Sequence, residues 1–112
     1  MHQQGYFYMM TNVHRTVLYC GATNDLYRRI QDHTNEVFTN SFASRYNIGK
    51  LVYFEVFTNV GDAFAREKQV KSGSRKKKIA LIESVNPQWK DLFDTLTQNS
   101  INELIKIKKF LR

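Results

Sequence analysis

The fold is decided near the N-terminus by one continuous stretch, residues 19–33, which reads YCGATNDLYRRIQDH. Its first residues are aromatic and small, which is typical of the end of a β-strand. The polar residues 23–25 follow, and their side-chain oxygens are of the kind that cap helix N-termini. Leu26 and Ile30 come next, four residues apart, so both fall on one side of a helix over about residues 25–34. The stretch therefore predicts a strand that passes almost directly into an amphipathic helix.

Three strands are predicted around this stretch. Residues 6–10 and 16–21 are rich in aromatic and β-branched side chains, and the polar residues 11–15 between them have the composition of a hairpin loop. Residues 50–57 have the same strand-like composition. Because a short hairpin joins the first two strands, they must pair antiparallel.

Helices dominate the second half of the chain. Val60, Ala63, Phe64 and Val70 share one side of a predicted helix that reaches about Lys71. Ser74 can cap a further helix that reaches about residue 85. The Asn86-Pro87 pair ends this helix and starts a short helical turn through Trp89. A capping box at residues 100–103 opens a last helix, which has four apolar residues on one side: Ile101, Leu104, Ile105 and Leu111. The order ββαβααα predicts an α+β fold with a small, mainly antiparallel three-stranded sheet flanked by helices.

Size, composition and cysteine content narrow the class of protein. The chain has 112 residues, of which 42% are hydrophobic and 24% charged, which predicts a single folded domain with a modest core. No apolar run approaches the roughly 18 residues that a membrane-spanning helix needs, and the N-terminus lacks the pattern of a signal peptide. The one cysteine, Cys20, cannot form an internal disulfide. These features predict a cytoplasmic protein with no membrane partner.

Basic residues point to a polyanionic partner. The net charge is +7, and nucleic acid is the commonest polyanion in a cell. A basic surface also serves solubility alone, so the charge by itself leaves both interpretations open. The run Arg75, Lys76, Lys77 and Lys78 lies in the first turn of a predicted helix, where the helix dipole disfavours cations. Residues that oppose local stability in this way favour a phosphate-binding role.

Glu67 interrupts an otherwise apolar stripe on its predicted helix. A buried and unpaired carboxylate is costly, so Glu67 should be paired, protonated or bound to a metal ion. The alternative is a position at the rim of the core, or an ion pair with Arg29 or Lys71.

Two further groups of residues have the chemistry of a phosphate site. Arg29 and His33 are four residues apart on the first helix, where a guanidinium can grip phosphate oxygens and an imidazole can move a proton. Tyr8 and Tyr19 lie on neighbouring strands, and a phenol beside a cation can act as a base towards water. Gly21 fits a tight turn or a close approach of the backbone to a ligand. Each group has an ordinary alternative: a solvated helix face, or aromatic packing in a sheet.

Together these residues resemble the GIY-YIG nuclease family. Tyr6-Phe7-Tyr8 stands for the first motif and Tyr19-Cys20-Gly21 for the second, and residues 19–33 are similar to the family's second strand and helix. Further stretches look like the small, single-domain bacterial branch of the family, namely residues 46–47, 51–55, 65–71, 77–83 and 86–89. The chain departs from the motifs where Tyr6, Phe7 and Cys20 replace glycine and isoleucine, and none of the three is a position expected to do chemistry.

The resemblance covers residues 5–93 and implies a nuclease-like domain over residues 1–95, with residues 96–112 as a C-terminal helical extension packed on or beside it. It also implies a set of catalytic residues, Tyr8, Tyr19, Arg29, His33 and Glu67. Glu67 would in addition be the metal ligand, for Mg²⁺ or Mn²⁺. The predicted nucleic-acid-binding residues are Gly21, Lys71, Arg75, Lys76, Lys77, Lys78 and Asn86.

The implied function is a metal-dependent endonuclease that hydrolyses phosphodiester bonds, with DNA favoured over RNA. A structure-specific or repair-type substrate is favoured over a sequence-specific one, because the chain shows no added recognition domain; a homodimer or a partner protein could supply specificity. One alternative is a non-catalytic nucleic-acid-binding module on the same fold. Another is an interaction protein whose last helix is its main functional element.

Overall fold

The computed structural model describes residues 4–35 and 49–95. Within these residues, three strands form one antiparallel sheet: β1 (Gly5–Thr11), β2 (Leu18–Thr23) and β3 (Lys50–Phe57). Their order in the sheet is β2-β1-β3, so β1 is the central strand and β2 lies at an edge. The predicted α+β class with a small antiparallel three-stranded sheet is confirmed.

The described helices follow the predicted order. They are α1 (Leu26–Asn35), α2 (Val60–Lys71), α3 (Arg75–Val85) and a short 3-10 helix (Leu92–Thr95). Each of the three α-helices begins after a capping side chain: the Asp25 carboxylate accepts from the Arg28 backbone N–H, and Asn59 and Ser74 cap α2 and α3. The caps that the sequence offered at residues 23–25 and at Ser74 are therefore used.

The sheet is covered on both faces, which explains why every residue of β1 is buried. On one face, Tyr8 packs in a cluster with Leu26 and Ile30 of α1. On the other face, Phe7 and Met9 pack in a cluster with residues of α2 and α3. Because side chains alternate along a strand, a central strand covered on both faces buries every side chain, which favours apolar residues.

Helix α2 passes very close to the start of β1. A Cβ atom at Gly5 would lie 2.6 Å from the Val60 Cα and 2.8 Å from the Ala63 Cβ, so any larger residue would push the helix away. This close approach seats α2, which carries Glu67, directly on the sheet.

One prediction about this half of the molecule is wrong. Phe64 does not face the core, since it is 51% exposed: the side of α2 that meets the sheet is centred on Ala63 and Val70, and Phe64 lies beyond its edge. The predicted short turn through Trp89 is present as a single turn. The Trp89 backbone N–H donates to the Asn86 carbonyl at 3.0 Å, and the positive φ of Trp89, 56°, ends the turn there.

Among the helices described here, none is long and apolar enough to cross a membrane. The predicted last helix, from residue 100 onward, lies outside the described residues, as does the proposed domain boundary at residues 95–96.

Candidate active site

The site is organised around the pairing of Tyr8 with Gly21. These two residues are direct partners in the β1–β2 register. A Cβ atom at position 21 would lie 2.5 Å from both the Cζ atom and the hydroxyl oxygen of Tyr8, so the phenol ring lies across the glycine. Gly21 is itself buried, and the space where its side chain would be is filled by the tyrosine. Gly21 therefore positions Tyr8, a role that the sequence did not predict.

Tyr8, Tyr19 and Arg29 come together on the α1 side of the sheet. The Arg29 guanidinium donates a hydrogen bond to the hydroxyl of Tyr8, and the hydroxyls of Tyr8 and Tyr19 are hydrogen-bonded to each other. The two tyrosine rings are 6.2 Å apart between centroids and tilted by 36°. Because α1 begins right after β2, Arg29 in the second turn of α1 reaches back over the hairpin. The structure thus brings together three of the predicted catalytic residues.

Burial raises the pKa of the Tyr8 phenol far above its ordinary value, while the hydrogen bond and the positive charge of Arg29 lower it only in part. At neutral pH the free protein therefore holds Tyr8 as a neutral phenol. A neutral phenol can accept a proton only if it gives up its own hydroxyl proton at the same time. A base at this position therefore needs a second group that takes up that proton.

Glu67 lies on α2, on the other side of the sheet. Its Oε2 atom is 2.9 Å from the Lys71 Nζ atom, and the two side chains are 20% and 57% exposed. This pair is one of the alternatives that the sequence left open. The hydrogen bond to Glu67 raises the pKa of Lys71, so the ammonium stays charged.

Electrostatic contacts place the Glu67–Lys71 pair beside β2. Burial raises the pKa of the Cys20 thiol, and the charges of Lys78, Lys71 and Glu67 all reach the same thiol. Cys20 faces the α2 and α3 side, and its neighbour Tyr19 faces the α1 side. The two halves of the site therefore flank the same few residues of an edge strand.

The donor set fits a hard divalent cation with few protein ligands. Among the side chains that the structure describes, no group of three or more His, Cys, Asp or Glu residues could hold a metal ion. Glu67 offers a carboxylate that is mostly shielded from water, and Mg²⁺ commonly binds through one or two carboxylates together with waters and phosphate oxygens. Glu67 is therefore the residue that would hold such an ion.

The basic run shows graded exposure at the start of α3. Arg75, Lys76 and Lys77 are exposed, and Lys78 is half-buried. The Arg75 guanidinium donates to the backbone carbonyl of Arg15 in the hairpin loop at 2.9 Å. Lys77 and Lys78 also line a cleft between α2 and α3. The run therefore borders the α2 side of the site.

Asn86 and His33 were both predicted site residues. Asn86 is buried at 6% exposure, and its amide nitrogen donates to the carbonyls of Val52 and Lys90, each at 2.9 Å. Its amide oxygen accepts from the Lys90 backbone N–H at 3.0 Å. These contacts give Asn86 a structural role and argue against a nucleic-acid contact. His33 lies in α1 one turn after Arg29, and its side chain is outside the described part of the chain.

One buried polar cluster was missed at the sequence level. The Glu55 carboxylate on β3 accepts hydrogen bonds from the Tyr53 hydroxyl and from Arg66 on α2, with the Arg66 Nε atom 3.0 Å from Oε1 and the Nη2 atom 3.0 Å from Oε2. The sequence feature that could have revealed this cluster is an acidic residue inside an apolar strand. Because the guanidinium engages both carboxylate oxygens, the cluster anchors α2 on β3.

The structure defines a small α+β domain in which two tyrosines and an arginine meet beside an edge strand. Residues 4–80 match the family model described as the GIY-YIG catalytic domain, and this range includes Tyr8, Tyr19, Arg29 and Glu67. The match spans more than half of the chain. The chain belongs to the GIY-YIG family.

The chain is also similar to UPF0213 proteins. It shares 42% identity over 67 residues with a UPF0213 protein of Clostridium perfringens, covering 60% of this chain and 71% of the relative. With a UPF0213 protein of Syntrophus aciditrophicus it shares 29% identity over 85 residues, covering 76% and 95%. The solution NMR structure of a UPF0213 protein of Bacillus halodurans superposes with a TM-score of 0.51 at 25% identity, over 85% of this chain and 99% of that one. The solved structure supports the α+β architecture, and none of these names states an activity.

Proposed function

We propose that this chain is a divalent-metal-dependent endonuclease that hydrolyses phosphodiester bonds in DNA. The family implies a nuclease-type fold, and GIY-YIG nucleases generally use divalent metal ions. The observation that carries the proposal is the hydrogen-bonded set of Arg29, Tyr8 and Tyr19 on one side of the edge strand β2, with Glu67 beside the same strand on the other side. A phosphate at this edge would meet a guanidinium from one side and a carboxylate-held cation from the other.

In this mechanism Glu67 holds Mg²⁺ or Mn²⁺, which when bound supplies stabilisation of charge on the scissile phosphate and the leaving oxygen. Arg29 binds a phosphate oxygen from the α1 side and stabilises the pentavalent state. Its hydrogen bond to Tyr8 fixes the guanidinium relative to the tyrosines.

Tyr8 orients the attacking water and receives its proton. Because the phenol is neutral in the free protein, its own proton must leave in the same step. The hydrogen bond to Tyr19 provides the first stage of that path, and the proton continues to His33 or to solvent. The bond from water oxygen to phosphorus forms as the bond from phosphorus to the leaving oxygen breaks.

Nucleic acid would bind along the basic face beside β2. The residues proposed to contact its phosphates are Lys71, Arg75, Lys76, Lys77 and Lys78. Contacts of this kind read the backbone and carry no base preference, which favours a branched, nicked or repair-type substrate over a sequence-specific one. A homodimer or a partner protein is the proposed source of further specificity. We also propose that residues 96–112 are a helical extension that serves packing or association, and that the protein acts in the cytoplasm.

The test is a cleavage screen with the full chain on branched, nicked, single-stranded and duplex DNA and RNA, with Mg²⁺, Mn²⁺ or EDTA. We expect metal-dependent cleavage that falls by roughly 100-fold or more in Arg29→Ala and in Glu67→Gln, because each removes a group that stabilises the transition state. Arg28→Ala is the matched control, since it removes the same charge from an exposed position one residue away. Full metal-dependent cleavage by Glu67→Gln would rule out the proposed metal ligand.

A non-catalytic nucleic-acid-binding module is the second candidate, and the Glu67–Lys71 ion pair favours it, because it occupies the proposed metal ligand in the free protein. This candidate predicts salt-sensitive binding without cleavage of any substrate in the screen.

A further inference from the structure

Lys71 forms an ion pair with the Glu67 carboxylate, the group that would bind the proposed metal ion. The two residues are one turn apart on α2, and the Lys71 Nζ atom lies 2.9 Å from the Glu67 Oε2 atom. The Glu67 side chain is 20% exposed, so an ion can reach the carboxylate only from its open side, whereas Lys71 is 57% exposed. The ammonium therefore already occupies one of the places where a cation would bind.

The surroundings of Glu67 are positively charged. Lys71 and Lys78 both lie within electrostatic reach of Cys20, as does Glu67 itself. A divalent cation that approaches the free protein meets these ammonium groups, and Lys71 competes with it for the carboxylate. A nucleic-acid phosphate at the same place reverses the balance, because it attracts both the metal ion and the ammonium.

From this geometry, and building on the proposed function, we propose that Lys71 occupies the metal position on Glu67 in the free protein and transfers to a phosphate of the nucleic acid when the metal ion binds. The metal ion and the nucleic acid then load the site cooperatively, so the ion is held poorly until a substrate is present.

The lysine side chain suits this exchange. It is a flexible four-carbon chain with a point charge, so it can rotate from one anion to another without a change in the backbone. An exposed ion pair within one helix is weak, which lets a phosphate compete for the ammonium. The coupling is reciprocal: whatever the nucleic acid adds to metal affinity, the metal ion adds to nucleic-acid affinity.

The test measures Mn²⁺ binding by electron paramagnetic resonance on the full chain without nucleic acid, which requires no catalysis. We expect Lys71→Met to bind Mn²⁺ roughly fivefold tighter than the unsubstituted protein, because the competing charge is gone. Lys68→Met is the matched control: it removes the same charge from an exposed position on the same helix and should leave Mn²⁺ affinity near that of the unsubstituted protein. Equal Mn²⁺ affinities for Lys71→Met and Lys68→Met would overturn the proposal.

A second arm measures the coupling. With Arg29→Ala as the background, to suppress cleavage, a DNA duplex should tighten Mn²⁺ binding several-fold, and the added Lys71→Met change should remove most of that gain. A duplex effect that is the same with and without Lys71 would contradict the transfer.

Glu67→Gln separates this inference from the proposed function. If Glu67→Gln abolishes Mn²⁺ binding while Lys71→Met changes nothing, Glu67 is the metal ligand and the lysine exchange is wrong. If Glu67→Gln binds Mn²⁺ as well as the unsubstituted protein, the metal site itself is wrong. Circular dichroism of each variant checks that it is folded.

Discussion

At the scale of single residues, the site depends on a side chain that is absent. Gly21 leaves the space in which the Tyr8 ring lies, and that ring carries the hydroxyl to which Arg29 donates. The glycine is needed here for room and not for its backbone freedom, since its φ is not positive. Gly21, in the family's second motif on β2, thus positions Tyr8, in the first motif on β1, by packing against it.

A methyl group at position 21 should therefore disturb both stability and the site. We expect Gly21→Ala to destabilise the fold by about 1–3 kcal/mol, because the added carbon would overlap the phenol and force Tyr8 away from Arg29. Denaturant unfolding measures the loss.

Gly49→Ala is the control, since a Cβ atom there meets nothing within 4 Å. Combining Gly21→Ala with Tyr8→Leu should cost less than the sum of the single changes, because the smaller side chain removes the overlap. Additive costs would show that the two residues do not compete for space.

At the scale of secondary-structure elements, polar side chains link helices to the sheet in addition to the apolar packing. Asn86 links the end of α3 to β3 through the Val52 carbonyl, and it closes the turn that follows through Lys90. Glu55 and Arg66 link β3 to α2. Both links are buried or half-buried, where a hydrogen bond that loses one partner is costly.

Removal of the Asn86 amide tests its structural assignment. We expect Asn86→Ala to lower the free energy of unfolding by roughly 2 kcal/mol, because the buried Val52 carbonyl and the part-buried carbonyl and N–H of Lys90 lose their partner. Nucleic-acid affinity of the folded protein should stay unchanged.

Ser84→Ala, at an exposed position on the last turn of α3, is the control for stability. A folded and stable Asn86→Ala protein with weakened nucleic-acid binding would restore Asn86 to the interface.

At the scale of the whole molecule, the compact core holds several phenols in their neutral form. Burial raises the pKa of Tyr6, Tyr8 and Tyr53 above the ordinary value of tyrosine, and Glu55 raises that of Tyr53 further. In the unfolded chain the same groups titrate near pH 10, at their ordinary value.

Stability should therefore fall in alkaline solution. Above about pH 10 the unfolded chain releases these protons while the folded protein keeps them, so unfolding is favoured by up to about 1.4 kcal/mol per pH unit for each group. Below about pH 10 the contribution of these buried phenols to the stability of the folded protein is fully present. Denaturant unfolding between about pH 8 and pH 11 measures the slope.

Tyr8→Phe should make this slope shallower, because one of the three groups no longer titrates. Ultraviolet titration of the native protein gives a second check: ionisation of Tyr8 near pH 10 in a protein that is still folded would contradict the argument.

The sequence by itself determined the order of elements, the caps of α1 and α3, and the residue types of the site. These follow from local causes: alternation in strands, spacing in helices, and side-chain oxygens at helix starts. Glu67 within an apolar stripe was also visible, together with the choice between a metal ligand and an ion pair with Lys71.

Only the tertiary structure decided how these pieces meet. It set the burial of Tyr8 and its raised pKa, the fit of its ring over Gly21, the exposure of Phe64 and the burial of Asn86. It also placed Lys71 on Glu67 in the free protein. The burial, the ring packing and the exposures depend on which surfaces pack together across strands and helices far apart in the chain, and local sequence patterns carry no information about that packing. Glu67 and Lys71 are only one turn apart, so here the structure chose between alternatives that the sequence had left open.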